Sequence, residues 1–357
     1  MHVLVVTSCS DRSQIALYNG LVKAGIDIDL VCDPAAPEQQ ALSDAGISVS
    51  QLIIRHRLDF HAVRNIRKKL NKKNYDMIYA PENKTLSVSL LASQDVNVKH
   101  IAYRGTIGHL SRWDPASWLT YFNPRIDRII CVSDAVRQYL LSMHLPPSRL
   151  VTIYKGHDVS WYAGSKSPSL SSEFGIPCDA FVVGFVGNMR PVKGVDILIQ
   201  SAFHLPEHLE IHFLLVGEVR DRKIKRLASD KRICDRIHFA GFRKDAPALT
   251  GACNVFVMPS IAREGLPRAV IEAMSQDVPV IVSNVGGMPE IVDDHNNGLI
   301  VPPRDPEALA RAIMYFAEDP SRCRLFGEQA RKKIETHFSI EMTIKQTTEL
   351  YREVLGH

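Results

Sequence analysis

"AFVVGFVGNMRPVKGVDILIQSAFHL", residues 180–205, passes from an apolar run through a short loop bearing glycine and cations into a run with helical spacing. A short apolar run bounded by turn residues reads as a strand buried on both faces, and the helix behind it is the start of a crossover to a parallel neighbour. The pattern recurs downstream in "IHFLLVGE" (211–218), "IHFAGF" (237–242), "NVFVMPS" (254–260), "VPVIVSN" (278–284) and "NGLIVPP" (297–303). Upstream it recurs in "HVLVVTS" (2–8), "IDIDLVC" (26–32), "YDMIYA" (75–80), "KHIAYRG" (99–105), "IDRIICVS" (126–133) and "RLVTIYKG" (149–156). Such alternation predicts parallel sheets covered by helices on both faces.

The two series are separated by "YAGSKSPSLSSEFGIP" (162–177), whose serines, glycines and prolines suit an interdomain linker. At 357 residues the chain exceeds one ordinary core and fits two domains of about 150 to 180 residues. The expected organisation is an α/β protein of two doubly wound, Rossmann-like domains facing a central cleft. The domains span 1–161 and 178–338, and a final helical segment, 339–357, crosses back to the first. Ligands in such sheets bind beyond the carboxyl ends of the strands, at the switch point.

Composition narrows the class further. Hydrophobic content of 45% and charged content of 23% are those of a globular chain. The longest apolar runs fall far short of the ~20 residues a membrane span needs. The chain opens on Met1 and a β-like run without a basic region or a small-residue cleavage site, which predicts a cytoplasmic protein. Seven cysteines with no CxxC pair argue for a reducing compartment and against a disulfide framework or a zinc site. The net charge is only +4, but "RHRLDFHAVRNIRKKLNKKN" (55–74) concentrates cations against the single acid Asp59. It reads as an amphipathic helix whose basic face is either solvated or meets an anionic membrane surface. No nucleic-acid reader motif accompanies it, so nucleic acid is not an expected partner.

Four loops carry candidate chemistry. In "GFVGNMRPVKG" (184–194) a strand ends at Gly187, and Asn188, Arg190 and Lys193 precede a helix that begins near Gly194, an arrangement suited to a phosphate or diphosphate. "LLVGE" (214–218) offers Gly217 for close backbone approach, and "FAGFRKDAP" (239–247) offers Phe242 and Arg243 to bracket a nucleobase. In "MPSIAREGLPRAVIEAM" (258–274), Glu264 stands in the loop and Pro267 suits the first helical position. That leaves the Gly265 and Leu266 amides as free donors and sets Glu272 some way into the helix. Two carboxylates able to accept from paired hydroxyls, with an anion site between them, match the needs of a nucleotide-diphosphate sugar.

Together the Glu264–Glu272 spacing, "NMRPVKG" and "GGMPEIV" (286–292) resemble the retaining glycosyltransferases of family 4, which have the two-domain GT-B fold. The resemblance covers nearly the whole chain and is strongest over 180–310. "CVSDAVRQYL" and "GHDVSWY" also sit where the family has its domain-closing strands and helices. It implies a C-terminal domain that binds a sugar nucleotide, most often UDP-linked. Lys193 and Arg190, aided by the Gly265 and Leu266 amides, would hold the diphosphate. Glu272 would bind the ribose hydroxyls, and Glu264 would contact the donor sugar near its anomeric centre. Neither a metal nor another cofactor is implied. The N-terminal domain would bind a glycan or lipid-linked acceptor, as in bacterial cell-surface polysaccharide or lipopolysaccharide assembly at the cytoplasmic face of the inner membrane.

The chain departs from the family at three places. Asn188 stands where an arginine is usual. "TSCSDRSQ" replaces a Gly-Gly loop after the first strand, so that Ser10, Asp11 and Arg12 would face the cleft. Arg104, in "RGTI", occupies the position of an expected histidine, with His109 five residues on. Arg104 can stabilise phosphate charge but cannot act as a base, and a retaining transfer tolerates this because the leaving phosphate can accept the acceptor's proton. Trp113 and Trp118 read as an acceptor wall or as packing. Two other functions are compatible with the same motifs: a sugar-nucleotide epimerase, and a non-catalytic sugar-nucleotide-binding protein.

Overall fold

The structure is a computed structural model that describes residues 1–37, 39–163 and 168–356. The chain divides into two compact units, Met1–Gly156 with Ile340–His357, and His157–Ser339. Among the described residues the first unit holds a seven-stranded sheet: β1 (His2–Val6), β2 (Asp27–Cys32), β3 (Ser48–Gln51), β4 (Met77–Ala80), β5 (Lys99–Arg104), β6 (Arg128–Cys131) and β7 (Leu150–Thr152). All are parallel, in the order β3-β2-β1-β4-β5-β6-β7. The second holds β8 (Phe181–Val186), β9 (Ile211–Val216), β10 (Ile237–Gly241), β11 (Val255–Met258), β12 (Val280–Ser283) and β13 (Gly298–Val301). These too are parallel, in the order β10-β9-β8-β11-β12-β13.

The period-two geometry of a strand explains why the apolar runs are unbroken. In β1, Val3 and Val5 point into a cluster with Tyr18, Leu21 and Tyr351, while Leu4 and Val6 point into another with Ala62, Ile66 and Leu70. Fully burying each such side chain contributes about 1.5–3 kcal/mol. β3, "SVSQ", alternates polar residues with a single valine and escapes a search for apolar runs; it is an edge strand.

The boundaries need correction. His157 N donates to Phe338 O at 2.8 Å, which draws 157–161 into the second unit although those residues were expected in the first domain. Residues 164–167 of the expected linker lie outside the described residues. The remainder is not an open tether. Ser169 caps a short helix, Leu170–Phe174, by accepting from Ser172 N, and Gly175 ends it. Leu170, Phe174 and Ile176 pack with Val182 and Leu214. Serine-rich composition masked two apolar residues at helical spacing.

The basic helix spans Phe60–Lys72, capped by Asp59, which accepts from Ala62 N. Its cations do not form one uniform face. Lys73 reaches the buried Asp29 carboxylate at 3.1 Å, Tyr75 donates to the same carboxylate at 2.5 Å, and Lys69 bonds Ser50 Oγ at 2.9 Å. Burial pushes the Asp29 pKa up, but the Tyr75 hydroxyl, Lys73 and Lys69 outweigh it and hold the group below its ordinary value. Arg67 donates to the carbonyls of Ala92 and Leu91. Phe60, His61, Arg64, Lys68, Asn71 and Lys72 are exposed on the helix, and among them Phe60, Arg64, Lys68 and Lys72 form a stripe four residues apart.

The last helix, Ile340–Leu355, belongs to the first unit. Thr343 Oγ1 donates to Tyr154 O at 2.8 Å and accepts from Gly156 N at 2.9 Å. The helix packs on Arg12–Lys23, where Ile344 fills the space a side chain at Gly20 would take: a Cβ there would stand 2.2 Å from Ile344 Cδ1. Glycine inside a helix costs about 0.5–1 kcal/mol relative to alanine, so the close approach must return more than that. Gly20→Val should therefore lower the unfolding free energy by about 1–3 kcal/mol in urea titration, and Ile344→Ala in the same chain should recover part of the loss.

Candidate functional site

In the second sheet the strand order reverses between β8 and β11, so the loops after these two strands flank the switch point. The first loop tightens into a turn, Pro191–Lys193, before Gly194 opens the helix Val195–Ser201. The second carries Glu264. The loops are joined by Ile261 N donating to Val192 O at 2.9 Å. Lys193 Nζ and Ser260 Oγ both bond Glu264 Oε1, at 2.7 and 2.6 Å. Glu264 is only 7% exposed. A carboxylate so removed from water is tenable because a cation and a hydroxyl converge on it. Gly286 holds the loop from the other side. Its φ is 59°, and a Cβ there would lie 1.9 Å from Glu264 O, so no other residue fits.

The helix behind the loop is Arg268–Met274. Pro267 is its N-cap rather than its first helical residue, so the helix starts one position later than expected. Among the described residues the Gly265 and Leu266 amides find no acceptor, which leaves two donors at the end of this loop.

Beside the switch point lies a cleft of about 650 Å³, within the size range of small-molecule sites. Gly187, Asn188, Gly217, Phe242, Arg243 and Glu272 line it, which brings together six of the residues singled out from sequence. Glu272 lies at the wall, 3.1 Å from Arg268 Nε. The Phe242 ring is 72% exposed, an apolar face suited to stacking on a nucleobase. Gly217 is required for a reason internal to the protein: at φ 138° a Cβ would stand 2.0 Å from Gly187 O.

Other expected residues are used differently. Arg243 was expected to bracket a base, yet its guanidinium chelates Asp245 at 2.7 and 2.6 Å and also donates to Glu173. It braces the Leu170–Phe174 helix, because two carboxylates lie within reach of one planar fork. Arg190 is exposed and does not line the cleft. Lys193 meets Glu264 instead of standing in the cleft wall. Conversely, Glu218, Arg220, Lys244 and Arg268 line the cleft and were passed over. For Arg268 there was a signal, a cation in a first helical turn where acids are favoured.

Arg104 and His109 belong to the first unit. Arg104, at the end of β5, is buried; Nε donates to Thr106 O at 2.9 Å, Nη2 to Gly108 O, and the guanidinium lies 4.9 Å from the Tyr121 ring. It builds the loop that follows it, since three carbonyl and ring partners surround the group. His109 is exposed on that loop with φ 62°. Asp11 caps the helix Arg12–Lys23 and pairs with Lys155. Glu82, which sequence reasoning missed, accepts from Ser8 Oγ at 2.6 Å and Ser8 N at 3.1 Å. Trp118 donates to Arg112 O and lies 5.5 Å from the Phe122 ring, whereas Trp113 is 95% exposed.

Residues 167–333 match the family described as Glycosyl transferases group 1, and residues 12–161 match Glycosyltransferase Family 4. The chain is 24% identical to the UDP-Gal:alpha-D-GlcNAc-diphosphoundecaprenol alpha-1,3-galactosyltransferase of Escherichia coli, over 99% of this chain and 96% of that protein. It is 27% identical to the lipopolysaccharide core biosynthesis mannosyltransferase LpcC of Rhizobium leguminosarum bv. viciae, over 65% of this chain and 66% of that one. Among solved structures it superposes on Anabaena Alr3699/HepE in complex with UDP, with a TM-score of 0.81 and 24% identity over 99% of this chain and 100% of that chain. With two parallel α/β units, a cleft at the switch point of the second, and matches along both halves, the chain belongs to the group 1, family 4 glycosyltransferases of GT-B fold.

Proposed function

We propose that this glycosyltransferase moves a sugar, with retention of configuration, from a UDP-sugar bound in the second unit to a glycan or lipid-linked acceptor bound by the first. The reading is carried by one arrangement: the Lys193–Glu264 pair set beside a cleft that contains Glu272 and Phe242. Phe242 stacks on the base and Glu272 accepts from the ribose hydroxyls. Lys193, with the Gly265 and Leu266 amides, meets the diphosphate, and Glu264 contacts the donor sugar. In the transfer the bond from the anomeric carbon to the phosphate oxygen breaks and a bond to the acceptor oxygen forms. The acceptor's proton passes to the departing diphosphate, so no protein base is required. Preorganised cationic and amide donors are worth most where that diphosphate charge develops, and no metal is needed in this scheme. The Escherichia coli relative, whose name specifies a UDP-sugar and a diphosphoundecaprenol acceptor, supports this choice of substrates. A role in cell-surface polysaccharide or lipopolysaccharide assembly at the inner face of the membrane follows from it.

An acceptor of that kind lies at a membrane surface. The stripe Phe60, Arg64, Lys68 and Lys72 would lie on anionic lipid, with the phenyl ring at the interface and the cations on headgroups. Among the described residues no helix is long and apolar enough to cross a membrane, so such contact would be peripheral.

Incubation with UDP-, GDP- and ADP-sugars and a panel of polyprenyl-diphosphate-linked and glycan acceptors should release UDP only from a UDP-sugar. Release of no nucleotide from any pair would remove the proposal. Glu264→Gln should bind UDP like the wild type yet lose transfer on the order of a hundredfold or more. Lys193→Met should cost about 1–3 kcal/mol in thermal or urea unfolding by stranding a buried carboxylate, and adding Glu264→Gln should restore stability without restoring activity. In sedimentation with vesicles, phosphatidylglycerol should bind the protein and phosphatidylcholine should not. At about 1 kcal/mol per cation, Arg64→Gln/Lys68→Gln/Lys72→Gln should weaken that binding on the order of a hundredfold.

A further inference from the structure

One residue at the cleft breaks two local rules. The first turn of the helix Arg268–Met274 contains no acid, and a cation, Arg268, opens it. Unsatisfied amides at a helix start favour negative charge, so this cation is placed against the local field. Arg268 is also the N-terminal member of its i,i+4 pair with Glu272, the order that stabilises a helix less than its reverse. With the arginine 63% exposed, such a pair adds little to folding. Local rules are most often broken at functional sites.

The cleft supplies the second half of the argument. Arg268 and Glu272 both line it. Of the other arginines there, Arg220 is paired with Glu218 at 2.5 Å, and Arg243 is held by Asp245 and Glu173. Only Arg268 has its ion-pair partner at the carboxylate assigned to the ribose. Its Nε meets Oε1 of Glu272 at 3.1 Å, and Glu272 is 13% exposed. One oxygen of the carboxylate is thereby engaged. A carboxylate already engaged on one side has less to order when the two ribose hydroxyls arrive, and that lowers the cost to affinity.

We propose that Arg268 is a positioning residue for nucleotide recognition, acting through Glu272 to preset the acceptor for the ribose hydroxyls. The inference rests on the nucleotide reading given above. Its test is calorimetric binding of UDP and of uridine to wild type, Arg268→Ala, Arg268→Lys, Glu272→Gln and the double variant Arg268→Ala/Glu272→Gln. Arg268→Ala should weaken UDP and uridine by the same factor, about tenfold, while Arg268→Lys keeps part of the affinity. In the Glu272→Gln background the same change should alter affinity less than twofold, because the group it orients has gone. The melting temperature of the free protein should stay the same in Arg268→Ala, which a purely structural role would not allow.

Unchanged UDP affinity in Arg268→Ala would overturn the proposal. So would a loss confined to UDP with uridine unaffected, since the arginine would then act on phosphate, and so would an equal loss in the Glu272→Gln background. If the wild type binds none of UDP, GDP and ADP, the nucleotide reading itself falls, before any variant is compared.

Discussion

The contact between Lys193 and Glu264 ties together the two loops that emerge on either side of the second unit's switch point. Neither side chain reaches the other unless both loops take one course. The first must turn through Pro191–Lys193 and leave by Gly194; the second must pass Arg263 at φ 66° and present the Glu264 carbonyl to Gly286. A left-handed backbone at a residue other than glycine costs of order 1–3 kcal/mol and persists only where its surroundings enforce it. The Lys193 ammonium, the Ser260 hydroxyl and the Val192–Ile261 backbone bond are those surroundings. The pair is thus a structural condition of the two loops at the switch point.

Charge around the cleft of the second unit is arranged by cancellation. Several cations line it, but Arg220 and Arg243 are each matched by carboxylates of the protein. Arg243 goes further and fastens the short Leu170–Phe174 helix to the loop after β10. A long basic side chain near a pocket therefore cannot be assigned to a phosphate from its position alone. The nearest carboxylate competes for it, and a bidentate fork is satisfied first by whichever anion is already held in place.

The first unit shows the same principle with polar side chains. Where the family resemblance implies glycines and a histidine, this chain has Ser8 to Arg12 and Arg104. Glu82 takes up Ser8, Lys155 takes up Asp11, and Arg104 closes on the carbonyls of its own loop. These loops are shaped by side-chain bonds, which a sequence comparison registers only as missing motif residues.

Much of this molecule was legible in one dimension. The apolar runs of β1, β8, β9 and β11 to β13 announce themselves because strands of a covered parallel sheet are buried on both faces. The Glu264–Glu272 spacing is equally direct, since the loop and helix that separate the two glutamates are continuous in the chain. β3 and the Leu170–Phe174 helix were hidden by polar composition, and they exist because neighbouring elements cover their few apolar residues. What the sequence by itself determined was therefore the alternation of elements, the family and the pair of glutamates, all set by local pattern and short spacing. Only the tertiary structure decided that Lys193 meets Glu264, that Arg243 meets Glu173 and Asp245, and that Arg104 turns back on its own loop. Partnership between charges depends on distance in space, and the residues that settle it lie 71 positions apart for Lys193 and Glu264 and 144 apart for Asp11 and Lys155.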